Sequence, residues 1–269
     1  MSIQITHDEN PQAFWGANAS NLLESESLHT LLLDLTHKEL RCASTENSPH
    51  FFTVGEGESI VGQAIYDPSQ EQLHLSPMHW GHVDALGKTL LEIDCLPKRL
   101  HGPAGAVEIA ADWFASSRNL TKRLVQRFGL YELRHLKTPT PKSGTMVCGR
   151  GEDQGISQSY LLGFMKECFP NPPPGAEKIS SLAKTILENK ALYFWKTTEE
   201  APVAMAGKIR DTPSTVSLSM VFVPPEERGK GYSGALVAAL SQHYLDQGKK
   251  ACNLFADLDH PVSNRIYTE

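Results

Sequence analysis

The sequence contains few cysteines and no long hydrophobic run. Its five cysteines are scattered, odd in number and without CxxC spacing, which predicts reduced thiols rather than a disulfide framework. No run approaches the ~18 apolar residues of a membrane span, and the first residues, polar and acidic, lack the apolar core of a secretion signal. The GxSxG and HExxH motifs are also missing. These absences predict a cytoplasmic protein without a membrane partner.

The charge balance is slightly acidic. There are 25 Lys and Arg against 31 Asp and Glu, a net charge of −6, which argues against nucleic acid as the main partner. Hydrophobic residues at 40% and charged residues at 21% are typical of a folded protein. A chain of 269 residues predicts two domains of about 130 residues each. Proline, serine and glycine mark residues 139–145 as a linker between domains 1–138 and 146–269.

A glycine-rich turn near the C-terminal end is the most informative segment. An apolar run from Met220 to Val223 stops at a proline pair, and the glycines of 228–234 lead into a helical pattern from Ala235 to Leu245. A strand, a glycine-rich turn and a helix in this order point unpaired backbone N–H groups at a phosphate. The glycines permit positive φ and close approach, while Arg228 and Lys230 add positive charge. The segment therefore predicts a site for a phosphorylated ligand, most simply a pyrophosphate.

Two common phosphate loops match this turn poorly. The GxxxxGK[ST] loop needs Ser or Thr after its lysine, but Lys230 is followed by Gly231. The bare GxGxxG spacing is present, yet the strand before it ends in Pro-Pro-Glu-Glu instead of leading straight into the glycines. The segment Arg228–Ser233 instead resembles the coenzyme A signature [QR]xxGx[GA] of the GCN5-related N-acetyltransferase (GNAT) family. Ser233 replaces the usual Gly or Ala, but it is small and keeps its N–H.

A second segment strengthens the resemblance, which is specific over 210–269 and loose elsewhere. A buried strand is predicted at 251–256, and residues 261–267 then follow the family's P-x-S-N-x-x-Y spacing. The resemblance implies that Asn264 contacts the coenzyme and that Tyr267 is the general acid to the departing thiolate. Residues i and i+3 of a helix share a face, so both side chains can reach one cleft. A phenol pKa near 10 leaves Tyr267 protonated at neutral pH.

The resemblance implies an acyl-CoA-dependent N-acyltransferase, most simply one that transfers acetyl from acetyl-CoA to an amine, without a metal. In that family the strand before the loop splays from its neighbour, so that its backbone can pair with the pantetheine arm and donate an N–H to the oxyanion. The predicted catalytic residue is Tyr267. The predicted cofactor-binding residues are Val221, Phe222, Val223, Arg228, Gly229, Lys230, Gly231, Tyr232, Ser233, Gly234 and Asn264.

The general base is not assigned, because the predicted strand carries no carboxylate and Glu226 and Glu227 are expected to be solvated charges beside the loop. An acyl-CoA-binding sensor or scaffold without turnover is the alternative function. The acceptor amine, the acyl-chain preference and the oligomeric state stay open. The family usually continues with two more strands after the tyrosine, so we expect the natural protein to extend past Glu269 and the sheet otherwise to keep an open edge.

The predicted fold is α/β of the α+β type, with a mixed, mostly antiparallel sheet flanked by helices and two similar halves. For the C-terminal half we predict helices at 157–168 and 178–188 and strands at 192–197 and 203–209. For the N-terminal half we predict helices at 19–35, 104–118 and 121–128, strands at 51–54, 59–66 and 72–75, and a closing strand at 131–136.

The N-terminal half is predicted to be a degenerate repeat without a coenzyme site, with an independent cap domain as the alternative. Residues 100–106 are its nearest match to the glycine loop, but Pro103 there removes a donor. His79 and His82 have helical spacing without a third ligand, so no metal site is predicted.

Overall fold

A computed structural model describes residues 2–41, 48–137, 142–169, 173–197 and 201–259, together with Asn264 and Tyr267. The strands predicted at 192–197 and 203–209 are expected to form a hairpin through Glu199 and Glu200. These two residues, linker residues 139–141 and the start of the P-x-S-N motif lie outside the described residues. The chain divides into two compact units, residues 1–127 and 128–269. Each unit has its own sheet and its own flanking helices.

The N-terminal unit contains a five-stranded sheet in the order β1-β2-β3-β4-β5. Neighbouring strands are antiparallel except β4 and β5, which are parallel. The alternation of side chains along β2 sends Phe52 to the core cluster shared with α3 and α4, and Phe51 to the cluster shared with α1 and α2. The strands are β1 (Ile3–Asp8), β2 (His50–Glu56), β3 (Ser59–Asp67), β4 (Gln72–Leu75) and β5 (Arg99–His101), and the helices are α1 (Pro11–Glu24), α2 (Glu26–Arg41), α3 (Trp80–Glu92) and α4 (Ala104–Arg118).

Three predictions for this unit need correction. The helix predicted at 19–35 is two helices, because Ser25 leaves the helical conformation between α1 and α2. Strands β1 and β5 and helix α3 were not predicted. The helix predicted at 121–128 is wrong: residues 120–127 have no regular structure, and Leu124 and Val125 are 70% and 61% exposed. A short segment whose apolar side chains are not packed does not keep a helix in water.

The two units share one order of elements. Parallel strands β4 and β5 are joined through α3, as the parallel pair β10 and β11 of the C-terminal unit is joined through α7. The counterpart of the glycine loop is therefore residues 76–79 between β4 and α3, and not residues 100–106. This segment has no glycine, and His79 serves as the N-cap of α3.

The C-terminal unit has a six-stranded sheet in the order β6-β11-β10-β9-β8-β7, in which only β10 and β11 are parallel. Helix α7 packs on one face of the sheet, and α5 and α6 pack on the other. No helix in the described ranges is both long and apolar enough to cross a bilayer. The strands are β6 (Phe128–Leu133), β7 (Thr145–Cys148), β8 (Leu192–Lys196), β9 (Pro202–Asp211), β10 (Thr215–Phe222) and β11 (Ala251–Asp257), and the helices are α5 (Gln154–Cys168), α6 (Ala176–Glu188) and α7 (Tyr232–Asp246).

Strand β6 corrects one expectation. The segment predicted to close the N-terminal half pairs instead with β11, from Leu133–Cys252 to Phe128–Asp257, in antiparallel register. Strand β6 thus covers β11 and is itself the edge strand at this end of the described sheet. An unpaired edge exposes backbone donors and acceptors, and β6 satisfies those of β11.

Candidate functional site

A wedge opens between two central strands of the C-terminal sheet. Strands β10 and β11 pair over only four residues, Thr215–Leu218 against Ala251–Leu254. Both strands continue, β10 to Phe222 beside β9 and β11 to Asp257 beside β6. Residues 219–222 and 255–257 therefore face each other without pairing, as the predicted splay requires. We call this gap the wedge.

A β-bulge directs β10 into the wedge. Met220 has a φ of 55°, and the register against β9 shifts by one residue beside it. The left-handed conformation of a non-glycine residue costs about 1–2 kcal/mol, and burial of Met220 and Phe222 in the core beneath α5 offsets that cost. The bulge leaves Val221 and Val223 on the α7 side. The Phe222 ring packs 5.4 Å from Tyr160, so only the backbone of Phe222 can contact a ligand in the wedge.

The glycine loop follows β10 and ends at the N-terminus of α7. Gly229 and Gly231 have φ values of 76° and 83°, which favour glycine. The first main-chain bond of α7 runs from Ala235 N–H to Gly231 O over 3.1 Å. The N–H groups of residues 232–234 therefore precede the intrahelical ladder and lie at the positive end of the helix dipole. The predicted strand–turn–helix arrangement is confirmed.

The two cations of the loop are paired with carboxylates. Arg228 Nη2 lies 2.5 Å from Glu167 Oε1 at the end of α5, and its Nε donates to Val223 O over 3.0 Å. Lys230 Nζ lies 2.9 Å from Glu227 Oε2. Both pairs are solvent-accessible, and exposed pairs of this kind stabilise a fold by only about 0–1 kcal/mol. A phosphate can therefore replace either carboxylate.

A further lysine, which the sequence analysis missed, lies over the loop. A Cβ atom added to Gly231 would lie 2.9 Å from Lys142 Cε and 3.4 Å from Lys142 Nζ. Lys142 thus brings an additional ammonium group to the α7 N-terminus. The only sequence signal was a lysine in the predicted linker, far from the loop along the chain.

Asn264 and Tyr267 are held at the end of β11 by a residue of β6. Asn264 Nδ2 donates to Asp257 O (3.0 Å) and Leu258 O (3.2 Å), and its Oδ1 accepts from the Tyr131 hydroxyl (3.0 Å). The Tyr131 ring also lies 5.8 Å from the Tyr267 ring, between centroids. Tyr131 is not among the predicted site residues, because sequence patterns place its strand in the other half of the chain.

The Tyr267 hydroxyl keeps its proton at neutral pH. Burial, together with a smaller effect of the nearby Cys168 thiol, raises the pKa of Tyr267 to about 12. Tyr267 packs against the core cluster on the α7 side of the sheet, which Val221 and Val223 also join. Within the described part of the chain, no protein group forms a hydrogen bond with the Tyr267 hydroxyl.

The chemistry of the site follows from these parts. Unpaired backbone on the wedge can accept a ligand that contains amide groups, and the α7 N-terminus with its lysines can hold an anion. Tyr267 can donate a hydrogen bond to a group that develops negative charge. The site therefore suits an elongated ligand with an anionic end, an amide-containing arm and a reactive end that becomes negative.

Comparisons with known proteins agree with this geometry. Residues 160–269 match the acetyltransferase (GNAT) family profile. A GNAT-family acetyltransferase from Colwellia psychrerythraea is 12% identical, with a TM-score of 0.55 over 98% of this chain and 94% of that one. A GCN5-related N-acetyltransferase from Sphaerobacter thermophilus is 14% identical, with a TM-score of 0.58 over 95% and 86%. A tandem GNAT protein from the clavulanic acid biosynthesis pathway is 13% identical, with a TM-score of 0.51 over 99% and 94%.

Among curated proteins, no sequence is significantly similar to this chain. Residues 160–269 form a domain of the GNAT acetyltransferase family. The chain as a whole has the acyl-CoA N-acyltransferase fold in a two-domain arrangement.

Proposed function

We propose that the C-terminal unit transfers an acyl group, most simply acetyl, from a coenzyme A thioester to an amine. The wedge carries this proposal, because pairing stops at Leu218–Leu254 while both strands continue. The pantetheine arm contains amide groups and can add to the exposed edge of β10 like a short strand. The glycine loop and α7 then receive the pyrophosphate at one end of the wedge.

Phosphate binding requires an exchange of partners at the loop. Arg228 must leave Glu167, and Lys230 must leave Glu227, each at a cost of about 0–1 kcal/mol. A hydrogen bond to a charged group is worth about 1.5–3 kcal/mol, so each exchange favours the ligand. Lys142 needs no such exchange in our proposal, because it already lies beside Gly231.

Acyl transfer begins when a neutral amine attacks the thioester carbonyl and forms the C–N bond. Backbone N–H groups of β10 near Val221 and Val223 stabilise the oxyanion, and collapse of the tetrahedral intermediate breaks the C–S bond. One proton leaves the amine, and the sulfur leaves the tetrahedral carbon with the electron pair of the C–S bond, as a thiolate. The base that takes the proton from the amine is not assigned, since β10 carries no carboxylate.

The role of Tyr267 follows from its pKa. A proton moving from a phenol with a pKa of about 12 to a thiolate whose acid has a pKa near 8.5 goes uphill by about 3.5 units, or roughly 5 kcal/mol. Tyr267 therefore stabilises the departing sulfur chiefly by donating a hydrogen bond. Full protonation of the sulfur follows once the product is exposed to solvent.

Asn264 acts in this proposal by ordering the end of β11. Both donor hydrogens of its amide serve backbone carbonyls there, and its Oδ1 accepts from the Tyr131 hydroxyl.

The test is calorimetric titration of the full chain with acetyl-CoA, followed by an amine panel read by release of free thiol. Tyr267→Phe should keep the acetyl-CoA affinity and lose roughly 100-fold or more in rate. Tyr66→Phe, a matched control in the N-terminal unit, should change neither. No binding by a folded wild-type chain would refute the proposal. Binding without turnover of any amine would favour the sensor or scaffold alternative.

A further inference from the structure

Three potential metal ligands meet at one end of the N-terminal sheet. His7 lies near the end of β1, Glu9 directly follows β1, and His50 begins β2. The register pairs Asp8 with Phe51, so the next position places Glu9 opposite His50. His7 and Glu9 are two residues apart in extended chain and therefore share a face. The ligand atoms of all three side chains lie within 4.8 Å of one another.

The two imidazoles are close to the spacing that a metal ion imposes. His7 Nε2 and His50 Nδ1 are 2.9 Å apart. A tetrahedral zinc ion holds two nitrogen ligands at about 2.0–2.1 Å each, and therefore about 3.4 Å from each other. The imidazoles need to separate by only about 0.5 Å to admit the ion between them.

Neighbouring rings hold both imidazoles in place. His7 stacks on Phe52 with centroids 4.9 Å apart and an interplanar angle of 11°. His50 lies 6.2 Å from the Tyr66 ring. The half-buried imidazoles and the exposed Glu9 leave one side of the cluster open to solvent.

We propose that His7, Glu9 and His50 bind a divalent transition-metal ion of the zinc class, with solvent as the remaining ligand. Two imidazoles and one carboxylate suit zinc, whereas magnesium and calcium prefer oxygen ligands throughout. The ion would join the end of β1 to the start of β2, next to Asn10, the N-cap of α1. This differs from the sequence prediction of no metal, which found no third ligand beside His79 and His82. Helices α1 and α2 separate the two parts of the cluster along the chain, so no local motif revealed it.

The test uses the full chain, freed of any affinity tag and of bound metal, titrated with zinc chloride against a chromophoric chelator. We expect one tight equivalent, lost in His50→Ala and weakened in Glu9→Gln. His135→Ala removes an exposed histidine of the C-terminal unit and should keep the equivalent. Zinc should also raise the Tm of the wild type and leave that of His50→Ala unchanged.

The metal-free variants must have the circular dichroism spectrum of the wild type. If His50→Ala does not fold, His7→Gln, which alters the other imidazole, takes its place in the same titration. No tight equivalent in the wild type, or equal binding by a folded His50 or His7 variant, would overturn the proposal. The histidine pair would then be a hydrogen bond alone.

Discussion

Replacing Gly231 with alanine tests the phosphate loop most directly. Gly231 has a φ of 83°, and its added Cβ would lie 2.9 Å from Lys142 Cε. Alanine in the left-handed region costs about 1–2 kcal/mol, and the reduced entropy of the unfolded chain returns about 0.4–1 kcal/mol. The free energy of unfolding should therefore fall by about 1 kcal/mol, a loss of roughly 2–4 °C in Tm.

The same substitution should weaken acetyl-CoA binding more than it weakens the fold. A loop that relaxes its strain turns its N–H groups away from the pyrophosphate, and the new methyl group displaces Lys142. A loss of about 1–2 kcal/mol in binding corresponds to a roughly 5–30-fold rise in Kd. Calorimetry with acetyl-CoA measures the affinity, and thermal unfolding without ligand measures the stability.

Two neighbouring glycines supply matched controls. Gly229 has a similar φ of 76°, but a Cβ there would have no atom of the described residues within 4 Å. Gly229→Ala therefore shares the strain and leaves Lys142 in place. Gly234 lies in the first turn of α7, where alanine should add about 0.5–1 kcal/mol of stability and keep the affinity. Equal affinity in Gly231→Ala and the wild type, or an equal loss in Gly234→Ala, would refute the reasoning.

Three further predictions concern other contacts. Glu167→Gln frees Arg228 from an exposed ion pair, so the free energy of unfolding should change by less than about 1 kcal/mol. Calorimetry should show tighter binding of acetyl-CoA. Weaker binding would mean that Glu167 orients Arg228 for the ligand. Tyr131→Phe removes the 3.0 Å hydrogen bond to Asn264, which is worth about 0.5–1.5 kcal/mol. The substitution should lower the turnover rate more than the affinity for the coenzyme. An unchanged turnover rate would contradict this role of Tyr131. Burial lowers the pKa of His29 below its ordinary 6.5, so the unfolded chain binds the proton more readily. The contribution of His29 to the free energy of unfolding should be complete above about pH 6.5 and should fall as the pH drops below that value. Urea titrations at about pH 7 and pH 5 measure the difference, which should be smaller in His29→Gln. The same difference in His29→Gln and the wild type would contradict this prediction.

Local patterns predicted many elements of the chain closely. Strand β4 and helix α4 have the predicted bounds, and β11 exceeds its predicted range by one residue. In these segments the apolar period and the bounding turn residues lie within the element itself. The glycine loop could be predicted from a local pattern in the same way, because the residues expected to bind phosphate are consecutive in the sequence.

Features that depend on distant partners could not be predicted in this way. Strand β6 pairs with the edge of β11, a strand far away in the sequence. The wedge depends on a bulge in β10 that packing beneath α5 stabilises. Arg228 turns to Glu167, which no local pattern links to the loop. The segment at 121–128 shows the opposite failure, since its helical apolar pattern has no surface on which to pack.

The pairing of β6 with β11 has a consequence for how the protein is made. Leu133 pairs with Cys252, so β6 leaves the ribosome long before its partner exists. At about 5–20 residues per second, synthesis of residues 134–250 takes roughly 6–25 s. Throughout that interval β6 has a free backbone edge, and contacts so distant in sequence also slow folding. The nascent chain should therefore depend on chaperones until β11 emerges, and a ribosome stalled before residue 251 should hold a C-terminal sheet in which β6 has no partner.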